Sequence, residues 1–189
     1  SKKEEEYYNL EKEKFITHRE KLVFLEIVQK FQHIYTISKE KTFAMIQLVN
    51  EIIQRGEKVI VFVKFLDEIR FLKECKVINF EYVEMTGNVN KNKAADLFAN
   101  NVQVMFSTYG AGGLAMHMPF CNNIIFFSQT FDYKDKVQSI DCIYKKGKTN
   151  QLNIYNFWVQ TGLEKLIRDC QRRKENVLNN VCQYITKED

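Results

Sequence analysis

The stretch NVQVMFSTYGAGGLAMHMP, residues 101–119, followed by NNIIFFSQTFDYKDKVQSIDCIYKKGK, residues 122–148, decides the fold. Val102 to Phe106 reads as an apolar strand that runs directly into a glycine-dense loop, Ser107 to Gly113. Asn123 to Phe127 reads as a second buried strand. A polar loop and a short helix follow, the helix carrying Gln138 and Asp141 and ending in basic residues. Three of the seven glycines, Gly110, Gly112 and Gly113, sit in the first loop. Such clustering after a β run marks a place where backbone turns sharply or approaches a ligand closely. A tight turn that meets no ligand satisfies the same pattern.

Outward from this stretch, strands alternate with helices. Lys58 to Lys64 is a continuous apolar run, the signature of a strand covered on both faces. Asp67 to Glu74 reads as a helix, and Tyr82 to Met85 as a strand ending in Thr86-Gly87. Asn90 or Asn92 caps a helix that runs to Asn100. Asn153 to Val159 is a fifth strand, and a long helix spans Gly162 to Tyr184. Upstream, Ser38 is the expected N-cap of a helix from Lys39 to Arg55, with Gly56 as its stop. Residues 2–36 carry a helical apolar period through Leu22, Leu25, Val28, Phe31 and Tyr35. The alternation predicts an α/β fold with a mainly parallel sheet of at least five strands, preceded by a helical segment.

With 189 residues, 45% of them hydrophobic and 28% charged, the chain has the size and composition of one globular domain with a real core. Its net charge of +4 is compatible with a polyanionic partner without demanding one. The five cysteines are widely spaced and form no C-x-x-C pair, so neither a zinc site nor a disulfide framework is indicated. A reducing, intracellular setting is the expectation. No apolar run is long enough to span a membrane, and no signal-peptide pattern stands at the start.

In open parallel sheets ligands bind outside the carboxyl ends of the strands. Four predicted strand ends carry small or polar residues: Lys64, Thr86-Gly87, Ser107 to Gly113, and Ser128 to Asp132. Backbone amides and hydroxyls at such junctions suit phosphate oxygens. The Walker pattern G-x-x-x-x-G-K-[ST] is absent, so this chain cannot cradle and hydrolyse a nucleoside triphosphate unaided. Nor does Gly110-x-Gly112-Gly113 have the dinucleotide spacing G-x-G-x-x-G.

Ser107-Thr108-Tyr109-Gly110-Ala111-Gly112-Gly113-Leu114-Ala115-Met116-His117-Met118 resembles motif V of the Swi/Snf-type, superfamily 2 helicase-like ATPases. Gln138-Ser139-Ile140-Asp141-Cys142-Ile143-Tyr144-Lys145-Lys146-Gly147-Lys148 resembles their motif VI, and Val59 to Phe65 their motif IV strand. The likeness covers nearly the whole chain in order. It implies the second RecA-like lobe of such a motor over residues 39–189, a three-layer α/β domain, with residues 1–38 as the helical connection from a first lobe. That first lobe would hold ATP and Mg²⁺. It would be one partner, and DNA, gripped by its backbone, the other.

The resemblance implies a role for each matching position. Lys64, Thr86, Gly87, Ser107 and Thr108 fall where related lobes touch DNA phosphates. Gly112, Gly113, Gln138 and Asp141 fall at the nucleotide cleft, and Lys145 stands at the second of two arginine positions that face the ATP phosphates, as the catalytic cation. Cys142 stands at the first arginine position and Lys148 at the motif's last glutamine. Cysteine supplies no cation, and lysine lacks the planar guanidinium fork. Two functions follow: the C-terminal motor lobe of an ATP-dependent DNA translocase, or a degenerate lobe that holds DNA or protein without hydrolysis. Elsewhere, His117 reads as a loop residue, Trp158 as core and Cys142 as a buried small residue. Tyr109 reads as either a base-stacking residue or a shield for its loop. Arg168, Arg172, Arg173 and Lys174 read as a solvated basic stripe, with DNA contact as the second choice.

Overall fold

The computed structural model describes residues 21–36, 38–112, 117–144 and 151–173. Strand β1 (Val59–Val63) is buried at all five positions, as its unbroken apolar run requires. Around it lie β2 (Tyr82–Met85), β3 (Val104–Thr108), β4 (Asn123–Phe126) and β5 (Asn153–Asn156), in the order β2-β3-β1-β4-β5. Every pairing is parallel.

Seven described helices cover the sheet: α1 (Lys21–Thr36), α2 (Lys39–Gln54), α3 (Leu66–Glu74), α4 (Lys91–Asn100), α5 (Tyr109–Gly112), α6 (Tyr133–Asp141) and α7 (Gly162–Arg172). Side chains alternate across the strands, which divides the core into two layers. Ile60, Phe62, Met105 and Phe126 pack with Ala94 and Phe98 of α4. Val59, Val61, Val63 and Phe106 face Met45, Val49 and Ile52 of α2 and Ile69 and Leu72 of α3. The result is the expected three-layer α/β sandwich.

Local chemistry sets the helix ends. Ser38 Oγ accepts from Lys41 N at 3.2 Å, Asn90 Oδ1 from Lys93 N at 3.1 Å, and Thr161 Oγ1 from Glu164 N at 3.2 Å. Gly56 follows α2 at φ 74°, a left-handed conformation that favours glycine. No described helix is long and apolar enough to cross a membrane.

The glycine-dense segment differs from its sequence reading. Ser107 and Thr108 continue β3, in register with Phe62 and Val63 of β1, and the chain then turns at once into α5. Gly110 lies inside that turn, and a Cβ there would meet nothing within 4 Å. Neither a close approach nor a left-handed φ requires glycine at this position. The fifth strand stops at Asn156, three residues short of its predicted end, because its partner β4 ends at Phe126. Residues 2–20 of the predicted first helix and 174–184 of the last lie outside the described residues.

Candidate nucleic-acid and nucleotide interface

The parallel register carries the strand ends to one rim. Met85 pairs with Ser107, and Val63 with Thr108, so Lys64, Thr86, Gly87, Ser107 and Thr108 all stand at the carboxyl edge. Their side chains are not equally available. Ser107 is fully buried, its hydroxyl donating to Met85 O at 3.3 Å and Thr108 O at 3.1 Å. Thr86 is buried, Thr108 half-buried and Gly87 exposed. Just beyond, Asn88, Asn90 and Lys93 are exposed at the start of α4. The sequence reading used this Asn/Lys run only for a helix cap.

Lys64 turns inward. Its ammonium donates to Gln32 Oε1 at 2.7 Å and sits 3.2 Å from the centre of the Phe131 ring. Beside it Glu68, 1% exposed, holds the crevice between β1 and β4 together. Glu68 Oε2 accepts from Ser128 Oγ at 2.7 Å, Lys64 N at 3.0 Å and Phe65 N at 3.3 Å. Lys41 of α2 and Glu164 of α7 are also buried here, and among the described residues neither the Lys41 ammonium nor either Glu164 oxygen has a hydrogen-bond partner. Buried groups of this kind usually hold ordered water.

Burial dominates the titration of the cluster. It raises Glu68 from 4.5 to about 7, against the hydrogen bond from Ser128, and raises Glu164 as well. It lowers Lys64 from 10.5 to about 7, against the charges of Glu68, Asp135 and Glu164, and lowers Lys41 in the same way. A raised folded-state carboxyl contributes stability at low pH that is lost as pH rises from 4.5 to about 7. A lowered folded-state ammonium contributes stability that returns as pH rises from about 7 to 10.5. Both windows meet near neutrality. Urea denaturation across this range is therefore expected to show a stability minimum near pH 7, and Glu68→Gln should flatten its acidic side. A maximum near pH 7 would contradict this assignment.

On the other face, Tyr109 is neither a base-stacking residue nor a loop shield but a core residue, 6% exposed. Its ring stacks on Phe62 and Phe126 at 5.6 and 5.9 Å, and its hydroxyl donates to Ser128 O at 2.6 Å. Gly112 ends α5. On α6, Gln138 is half-buried and Asp141 exposed. Helix α6 is fixed by Lys136, whose ammonium donates to Gln129 Oε1, Asn156 Oδ1 and Gln171 Oε1 at 3.2, 2.7 and 2.8 Å. Burial lowers Lys136 to about 8. Cys142 is buried, with Sγ 2.9 Å from Ser139 O. Gly113, Lys145 and Lys174 lie outside the described residues. His117 is exposed. Trp158 is half-buried rather than core, with the Arg168 guanidinium 5.9 Å from its ring centre, while Arg172 and Arg173 are exposed.

The helicase conserved C-terminal domain family matches residues 40–147, more than half of the chain. The chain belongs to that family. Among curated relatives of this helicase C-terminal domain, the ATP-dependent helicase FUN30 of Saccharomyces cerevisiae is 22% identical over 129 residues, covering 65% of this chain and 11% of that protein. An "Uncharacterized ATP-dependent helicase" of Mycoplasma pneumoniae is 21% identical over 191 residues, covering 93% of this chain and 18% of that protein. The chain therefore spans less than a fifth of either relative. Among solved structures, the C-terminal part of the Fun30 ATPase domain superposes with a TM-score of 0.62 at 24% identity, covering 68% of this chain and 44% of that one. The SWI2/SNF2 ATPase core domain of Sulfolobus solfataricus superposes with a TM-score of 0.69 at 16% identity, covering 96% and 42%. The fold is that of a Swi2/Snf2-type C-terminal RecA-like lobe.

Proposed function

We propose that this helicase C-terminal domain is the second motor lobe of an ATP-dependent DNA translocase, which grips duplex DNA by its backbone at the carboxyl rim. The observation that carries the reading is the rim itself. Parallel register brings the Thr86-Gly87 turn to the same edge as Thr108 and Lys64, with exposed Lys93 in the first turn of the helix that follows. Gly87 and Thr108 offer the accessible contacts, and Thr86 and Ser107 hold the backbone that presents them. Gly112, Gln138 and Asp141 are assigned to the edge that meets the first lobe across the nucleotide, and the family resemblance assigns Gly113 and Lys145, which lie outside the described residues, the same role.

The described part of that edge does not fit a triphosphate alone. Helix α6 offers the amide of Gln138 and the carboxylate of Asp141, and Cys142 points a thiol at Ser139 O. The cation on this edge is assigned to Lys145, and ATP with Mg²⁺ to the first lobe. When bound there, ATP supplies the phosphoryl chemistry that drives the two lobes against each other.

Duplex binding by this chain, followed by fluorescence anisotropy, should weaken linearly in log affinity against log salt, by about 0.9 per phosphate neutralised. The isolated chain should hydrolyse no ATP. Salt-independent binding, or DNA-stimulated hydrolysis by the isolated chain, would refute the proposal.

The buried Cys142 thiol favours a second reading, a lobe that binds without turnover. Lys145→Arg in a two-lobe parent separates the two. Brisk wild-type hydrolysis that this change leaves untouched removes the non-hydrolysing reading. Cys142→Arg is the poorer probe, because it forces a guanidinium into a site 7% exposed.

A further inference from the structure

The chain leaves β1 toward β2 on one side of the sheet and leaves β4 toward β5 on the other. Between two such diverging strands an open parallel sheet has a crevice outside its carboxyl ends, where ligands bind. In this lobe α1 closes that crevice. Gln32, fully buried on α1, donates Nε2 to Gln129 O beyond β4 and accepts the Lys64 ammonium beyond β1. A single amide side chain thus spans both strand ends and ties down the rim's central cation. One turn of contact accompanies it: His33 meets the Phe65 ring edge-on at 5.2 Å and lies 3.4 Å from Asp67 Oδ2.

Among its described side chains α1 is seated along one face only. Ile27, Val28, Gln32 and Thr36 are buried, whereas Glu26, Gln29, Lys30 and Ile34 are exposed. A cleft of about 430 Å³ lies where Gln29, His33 and Ile34 face Phe65 and Asp67. The Lys64 ammonium that Gln32 of α1 holds would gain from return to water, since burial disfavours its charged form.

We propose that α1 is a detachable strap which, when seated, withholds Lys64 from the DNA backbone and, when lifted, adds one phosphate contact to the rim. The inference rests on the reading that this rim binds duplex DNA. Nucleic acid and α1 then compete for one face, so the strap sets how tightly the lobe grips.

The test uses the full chain with Gln32→Ala and the double variant Gln32→Ala/Lys64→Met, measured on one duplex over a salt series. Freeing one cation should steepen the slope of log affinity against log salt by about 0.9 and tighten low-salt binding several-fold, and Lys64→Met should cancel both gains. Hydrogen exchange should quicken in α1 of Gln32→Ala while the β1 and β4 amides keep their protection, which separates a lifted strap from a damaged lobe. An unchanged slope in Gln32→Ala, a gain that survives Lys64→Met, or unchanged α1 exchange overturns the strap while leaving the rim as a binding site. Absence of salt-dependent binding in every form overturns the rim, and the strap with it.

Discussion

Glu68→Ala is expected to lower the unfolding free energy by about 3–5 kcal/mol, the range for removing one member of a buried charged network. The carboxylate is 1% exposed and takes three donors on one oxygen: Ser128 Oγ, Lys64 N and Phe65 N. Alanine leaves Phe65 N and the Ser128 hydroxyl without this acceptor, leaves Lys64 N with Ser128 Oγ alone, and removes one of the negative charges that face Lys41 and Lys64. It also frees the start of α3, where Glu68 is the side chain that reaches back to the amides of Lys64 and the N-cap Phe65, and Phe65 itself offers no side-chain acceptor. Glu68→Gln keeps an acceptor of the same shape and should cost about 1 kcal/mol or less near neutral pH, where the native carboxyl is partly protonated. Urea titrations of both variants decide the matter. Equal losses for alanine and glutamine would mean that the acceptor role described here is not what Glu68 contributes.

Tyr109→Ala should be comparably severe, about 3–5 kcal/mol, because it empties a large aromatic site within the core. The ring lies 3° from parallel with Phe126 and stacks on Phe62, so its loss removes the layer joining the ends of β1, β3 and β4. Tyr109→Phe retains the stack and gives up only the bond to Ser128 O, for about 1 kcal/mol. The same pair of changes probes the rim, since Tyr109 is the first residue of α5, directly after Thr108. If Tyr109→Phe proved as damaging as alanine, the hydroxyl rather than the stack would be the anchor.

Much of this architecture was legible from pattern alone. The run Lys58 to Lys64 announced a strand covered on both faces, observed over Val59–Val63, and Ser38, Gly56 and the choice between Asn90 and Asn92, which falls to Asn90, announced helix ends by their own chemistry. The shared rim followed from strand alternation with helices. The site was less legible, for reasons that differ residue by residue. Tyr109 could have been assigned to the core, since it shares strand parity with Met105 and both enter the same layer. Lys41 stands four residues before Met45 and eight before Val49, on the apolar stripe of α2, a spacing that signals burial. Lys64 carried no such signal. Its direction is set by Gln32, a residue on another helix, and no local period reports a contact made across that separation. Nor does spacing foretell that β3 absorbs Ser107 and Thr108, because that extension depends on the partner strands beside it.

The position of β1 has a consequence during biosynthesis. Val59 pairs with Val104 on one side and Asn123 on the other, so both of its neighbours are translated later. The most apolar ribbon of the lobe leaves the ribosome with both hydrogen-bonding edges open, and it stays so until β3 and then β4 arrive. Long-range parallel pairing of this kind delays closure and exposes sticky strand to other chains. A nascent chain halted before Val104 would carry that ribbon unpaired, a natural target for chaperones that recognise extended aliphatic segments.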